Sequence, residues 1–247
     1  MAGRPAPAPA RVNLGGVSFD RYSRSVVPSG LVDLLLPLRC AGCGLAGAVL
    51  CAECDRRFRE PRVIRPPALF REPPIHALAR YRGRVRTTLL AYKEGGRRDL
   101  ERPLGNHVAT AVRAVLAASG SITETDSPRL VPAPSRDAAV RRRGRAHLAR
   151  LTHRAERRLP GLCTADCLRL SPRVRDSVGL DSERRFENLR GGVLSRPGRL
   201  PPPGTPVLLL DDVLTTGATV LNCLRTLSEA ELPVVAVLVL ASACRES

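Results

Sequence analysis

Two adjacent carboxylates, Asp211 and Asp212, follow the apolar run VLLL at residues 207–210 and precede Thr215, Thr216, Gly217, Ala218 and Thr219. Ionised carboxylates only accept hydrogen bonds, which suits two neighbouring sugar hydroxyls. The threonine hydroxyls and the amides around Gly217 can surround a phosphate monoester. Glycine there lets the backbone approach the anion closely or take a positive φ. The residue types and their order describe a cradle for a ribose 5-phosphate.

The second constellation is Cys40, Cys43, Cys51 and Cys54, two CxxC pairs close together. Each pair offers two sulfurs to one ion, and four thiolates suit tetrahedral Zn²⁺ with no open position, so the site is expected to be structural. The short spacer predicts a compact, knuckle-like unit. Cys163, Cys167, Cys223 and Cys244 have no such pairing and are expected to be small buried hydrophobes.

These groups need elements to hold them. Four apolar residues in a row at 207–210 predict a strand covered on both faces, with the acids at its carboxyl end. Ligands bind at that end of open α/β sheets, where the first amides of the next helix, here residues 218–229, lack intrahelical partners. A last strand is expected over 234–241. Upstream, Val85, Leu89, Leu90 and Tyr92 predict an amphipathic helix running into Gly95-Gly96. Leu104, Val108, Val112 and Val115 predict another helix over 104–118. LVPAP at 130–134 reads as a short strand, 136–159 as a long arginine-faced helix, and 163–170 as a further strand. Residues 171–193 are polar and loop-like. The alternation implies an α/β fold with a parallel sheet. The domain reading is a Pro/Arg-rich disordered tail at 1–28, a zinc-binding unit at 29–60 and an α/β domain at 61–247.

With 247 residues and 43% hydrophobic content the chain can bury a sizeable core. No apolar run reaches the length of a membrane span, and the amino terminus lacks an apolar signal core, so a cytoplasmic protein without membrane insertion is expected. The net charge of +17 resembles a nucleic-acid footprint, but Lys93 is the only lysine, 39 of the 40 basic residues being arginine. That bias, with a 3% aromatic share and no Trp, fits a GC-rich composition better than a base-stacking surface.

LLLDDVLTTGAT resembles the phosphoribosyl diphosphate motif of the type I phosphoribosyltransferases. Together with the tetracysteine, YKEGGRRDL, VPAPSR followed by RRRGRAHLARL, and ERRFENLRGGV, it resembles the ComF family across residues 31–244. Those proteins are associated with competence and DNA uptake. The resemblance implies a type I phosphoribosyltransferase-like sheet flanked by helices behind the zinc unit, and a transferase acting on phosphoribosyl diphosphate with Mg²⁺. Asp211 and Asp212 would be the ribose-contacting acids and residues 215–219 the 5′-phosphate loop. Pro134, Ser135 and Arg136 match the diphosphate loop, and residues 173–192, with Arg184 and Asn188, match the mobile loop that closes over the reactants. No general base is assigned and no acceptor is specified. Arg143, Gly144, Arg145, Ala146 and His147 stand where the family has an RGFNQ-like sequence, and a glutamine common in the mobile loop is replaced around Ser177 and Val178. The alternatives are a non-catalytic sensor of phosphoribosyl diphosphate or a nucleotide, and a DNA-uptake accessory with a degenerate site whose partners are nucleic acid or competence proteins.

Lys93 falls within the resembling segment. A lone lysine among arginines suggests a place for a compact ammonium, in contact with substrate or the closed loop. His147 and His153 lie in the arginine-rich helix and are expected to face solvent, while His76 and His107 have no acid or cysteine spaced to form a site.

Overall fold

The computed structural model describes residues 38–58, 61–118, 127–135, 147–171 and 192–244, all within the compact unit Pro37–Ser247. A short helix α1 (Ala52–Asp55) precedes strands β1 (Arg62–Ile64) and β2 (Ile75–Ala77). Helices α2 (Gly83–Lys93) and α3 (Glu101–Ala118) lead to β3 (Arg129–Pro132), α4 (His147–Glu156), β4 (Cys163–Thr164), β5 (Leu168–Leu170) and β6 (Val193–Ser195). Last come β7 (Val207–Leu214), α5 (Ala218–Glu229) and β8 (Val234–Ser242).

Six strands form one sheet in the order β1-β2-β8-β7-β3-β4, parallel throughout except for β1, which runs antiparallel at the edge. Helices flank this sheet, so the architecture is mixed α/β with a mostly parallel sheet. Its centre is dry. Leu208, Leu209 and Leu210 of β7 and Val237, Leu238 and Val239 of β8 are fully buried. Burying each such side chain contributes roughly 1.5–3 kcal/mol relative to leaving it exposed.

The helices follow their apolar spacing. Helix α2 buries Val85, Thr88, Leu89 and Tyr92, and ends where Gly96 takes a φ of 68°. In α3, Leu104, Val108, Val112 and Val115 are buried, and Pro103 falls in the first turn, where its missing N–H costs no intrahelical bond. Helix α3 packs against α4.

Three readings change. Strand β7 continues past both acids to Leu214, because β8 is long enough to pair with it as far as Leu214↔Ser242. Residues 163–170 are two strands: β4 joins the large sheet beside β3, whereas β5 pairs with β6 in a separate two-stranded sheet. Strands β1 and β2, which the sequence reading did not expect, extend the sheet beyond β8. At three residues each they are too short to show a period of two. Among the described residues, no helix is long and apolar enough to cross a membrane. The tail at 1–28, Arg136, Arg184, Asn188 and most of the expected closing loop lie outside the described residues.

Candidate functional site

At the carboxyl end of the sheet, the last half of β7, the end of α2 and the start of α4 meet around a cleft of about 270 Å³. Lys93, His147, Asp211, Asp212, Thr215 and Thr219 all line it. Asp212 is the hub. Lys93 Nζ lies 2.6 Å from its Oδ2, and the His147 Nε2–H donates to the same oxygen at 3.0 Å. Its Oδ1 accepts the Val213 N–H at 2.7 Å, while Asp211 Oδ1 accepts the Asp212 N–H at 2.8 Å.

The two acids differ in charge state because their surroundings differ. Burial pushes the Asp211 carboxyl up to about 7, and the neighbouring Asp212 charge adds to the rise. Burial alone would raise Asp212 as well, but the hydrogen bond from His147 and the positive charge of Lys93 outweigh it and hold that carboxyl well below the usual range. Lys93 loses hydration by burial, yet the attraction of Asp212 raises its pKa. The result is one ionised acid held by a cation beside one that titrates near neutrality.

His147 corrects the sequence reading. It is only 7% exposed, and the Tyr92 hydroxyl donates to its backbone carbonyl at 2.8 Å. The Tyr92 and His147 rings meet edge to face, with centroids 6.0 Å apart. The histidine Nδ1 is buried without a hydrogen-bond partner among the described residues. Arginine density around it hid its inward face, because only the first turn of α4 turns it toward β7. The available signal was its position at the end of the segment where the chain departs from the RGFNQ-like pattern. His153 is 47% exposed, as expected.

The turn after β7 carries the remaining residues. Gly217 has a φ of 81°, a left-handed conformation costly for any residue with a Cβ. A Cβ built there would lie 2.6 Å from Leu69 Cδ1, so the buried Leu69 side chain would have to shift to admit one. Helix α5 starts at Ala218, its amide turned to Thr216 Oγ1 at 3.4 Å. The amides of its first turn point out of the N-terminus, where the helix dipole favours an anion. Ser135 is half-buried beyond β3, at the same carboxyl edge but outside the lining of the cleft.

The four cysteines of the second constellation do come together. Their sulfurs all lie within 4.8 Å of one another, with Cys43 and Cys51 Sγ at 3.7 Å. Sulfurs bound tetrahedrally at about 2.3 Å from zinc are roughly 3.8 Å apart, so the donor set fits a metal such as zinc. Burial disfavours the Cys40 thiolate, but hydrogen bonds led by the Cys51 amide outweigh this and bring the thiol down to about 6. The buried Cys54 thiol is pushed up, first by desolvation and then by its sulfur neighbours. Gly42 permits the arrangement: a Cβ there would stand 2.8 Å from Cys54 Sγ and 2.9 Å from Thr88 Oγ1 of α2. The His107 ring meets Asp55 at 2.7 Å and stacks on Phe58, tying the unit to α3. Its acid lay far away in sequence, beyond the reach of spacing arguments. Of the other cysteines, Cys167 and Cys223 are buried as expected, whereas Cys163 and Cys244 are half-buried.

Comparison of the chain with protein-family models and with curated proteins finds no match.

Proposed function

We propose that this chain is a type I phosphoribosyltransferase-like protein that binds the magnesium complex of phosphoribosyl diphosphate and transfers the phosphoribosyl group to an acceptor nucleophile. The observation that carries the reading is the continuity of Asp211-Asp212 with the Gly217 turn and the α5 N-terminus, all at the carboxyl edge of a parallel sheet. The carboxylates and the first-turn amides of α5 thus sit within one short segment. In this reading Asp211 and Asp212 accept from the ribose hydroxyls while Thr215, Thr216 and Thr219, with the amides of residues 217–219, hold the 5′-phosphate. Ser135 and Arg136 receive the diphosphate, and Arg184 and Asn188 belong to the closing loop.

The bond between C1 and the diphosphate oxygen breaks with its electron pair leaving on diphosphate, and the acceptor's lone pair forms the new bond to C1. When bound with the diphosphate, magnesium would supply positive charge against the leaving group. The chain's own part is positioning and exclusion of water around a cationic sugar. Four thiolates leave the tetracysteine ion no open position, so its role is structural. A link to competence or DNA uptake belongs to the same reading through the ComF resemblance.

Calorimetric titration of phosphoribosyl diphosphate with Mg²⁺ into the wild type and an Asp211→Asn/Asp212→Asn variant tests the cradle. The expected result is binding that the variant loses. A folded, metal-loaded wild type that does not bind would defeat the proposal.

The pairing of Asp212 with Lys93 and His147 favours a second reading, in which the cradle senses phosphoribosyl diphosphate or a nucleotide without turnover. An acid already neutralised by its own chain can hold a ligand yet contribute little new charge to a transition state. Binding without diphosphate release across a screen of nitrogenous acceptors would select it.

A further inference from the structure

A second, larger cleft of about 540 Å³ opens beside the cradle, a size that suits a small organic ligand. Its rim carries five arginines, Arg56, Arg57, Arg62, Arg80 and Arg82, and among the described residues no acidic side chain lines it. Arg57 is engaged by Glu53 at 3.4 Å. Among the described residues, no carboxylate pairs with Arg56, Arg62 or Arg82. Beneath the rim the floor is apolar: Ile64, Leu78 and Val85 are buried and Ala77 joins them.

The cleft shares a wall with the cradle. Tyr81 lines the cradle while its chain neighbours Arg80 and Arg82 line the arginine cleft. Cys244, also in the arginine cleft, donates its Sγ–H to the carbonyl of Thr215 in the phosphate turn at 3.2 Å. The backbone of Arg80 bridges to Ser242 at the end of β8. Both clefts therefore open along the carboxyl edge of one sheet.

We propose that the arginine cleft is the acceptor subsite, and that it takes a small acid carrying two or more negative charges on a flat apolar body. This rests on the phosphoribosyl-transfer reading of the neighbouring cradle. The guanidinium forks are suited to carboxylate or phosphate oxygens, and the apolar floor to the body of the ligand. A nucleic-acid strand is the poorer occupant, because no described lining residue is aromatic and successive bases need ring faces to stack upon. A composition rich in arginine explains scattered surface charges, but not a rim of five gathered around an apolar floor.

Phthalate is a suitable probe, titrated calorimetrically into the full metal-loaded chain. Four proteins are compared: wild type, Arg62→Ala/Arg82→Ala, a charge-matched control Arg71→Ala/Arg225→Ala, and Asp211→Asn/Asp212→Asn. The expected outcome is saturable binding to the wild type, weakened at least tenfold in Arg62→Ala/Arg82→Ala. Affinity should stay within twofold in the control and in the cradle variant. No saturable binding, or equal weakening in both arginine variants, would overturn the subsite. An oligothymidylate bound through Arg62 and Arg82 while phthalate gives no signal would overturn the small-acid assignment in favour of nucleic acid. Phosphoribosyl diphosphate with Mg²⁺, titrated into the same samples, separates the two claims. Its failure with phthalate bound would remove the transfer reading and with it the acceptor role, leaving an anion site. Its success with phthalate unbound would remove the cleft alone.

Discussion

Lys93 Nζ lies 2.6 Å from Asp212 Oδ2, so the only lysine of the chain is committed to one of the two acids at the end of β7. A guanidinium is broader and planar, and an arginine at this position would have to displace the His147 ring that shares the same oxygen. Lys93→Arg is therefore expected to behave more like Lys93→Ala than like the wild type. Both should lower the thermal midpoint by a few degrees, at about 2–4 °C per kcal/mol for a chain of this size. Both should also change the affinity for phosphoribosyl diphosphate with Mg²⁺ by at least threefold. Unchanged affinity in both variants would exclude a role for Lys93 in the ligand site.

Asp211 predicts a pH dependence whose sign follows from its burial. Its unfolded carboxyl loses a proton near pH 4, by the ordinary value of about 3.9, and its folded carboxyl near 7. Between these values the folded chain keeps a proton that the unfolded chain releases. The contribution to stability is therefore fully present below about pH 4 and lost as pH rises through about 7. Asp212, held low, titrates only in strong acid and does not oppose this trend near neutrality. Asp211→Asn keeps the acceptor for the Asp212 amide and removes the titration. It should melt above the wild type at pH 8 by several degrees, with the gap closing toward pH 5. Thermal melts at a series of pH values measure this, and a gap independent of pH would contradict it.

Gly217 predicts a backbone effect with two separable parts. Alanine there meets an unfavourable φ of 81° and a contact at 2.6 Å with Leu69. Gly217→Ala is expected to cost about 1–3 kcal/mol in urea unfolding. In Leu69→Ala/Gly217→Ala the steric part of that cost should vanish while the conformational part persists. The alanine should therefore cost less when introduced into Leu69→Ala than into the wild type. Full recovery would show that the conformation carries no strain of its own.

The tetracysteine predicts one zinc per chain, measured by elemental analysis. Metal removal by a strong chelator should lower the thermal midpoint, because ligand binding to the folded state alone adds to its stability. Cys54→Ser should lose the metal and lower the thermal midpoint toward that of the chelated protein. Cobalt substitution provides the check on geometry: the wild type should show the intense visible bands of tetrahedral thiolate ligation, and their absence would exclude a four-sulfur site.

Much of the arrangement of Asp211, Asp212 and the turn after β7 was legible in the chain itself because its parts are local. Asp211 and Asp212, the Gly217 turn and the start of α5 occupy one continuous segment, and the double CxxC spacing brings four sulfurs together through turns within the same short stretch. Helices α2, α3 and α5 and strand β8 were readable for the same reason, since apolar period and glycine or proline breaks act over a few residues. Only the tertiary structure decided what surrounds the acids. His147 and Lys93 reach Asp212 from separate helices, and His107 finds Asp55 across the zinc-type unit. Burial, which raises Asp211 and makes the Lys93 pairing consequential, is a property of the packed sheet. Strands β1 and β2 have too few residues to carry a periodic signal, and β8 recruits β2 by offering a parallel edge. Local pattern specifies which groups share the turn after β7; long-range packing specifies their charge and their neighbours, because both depend on residues distant in the chain.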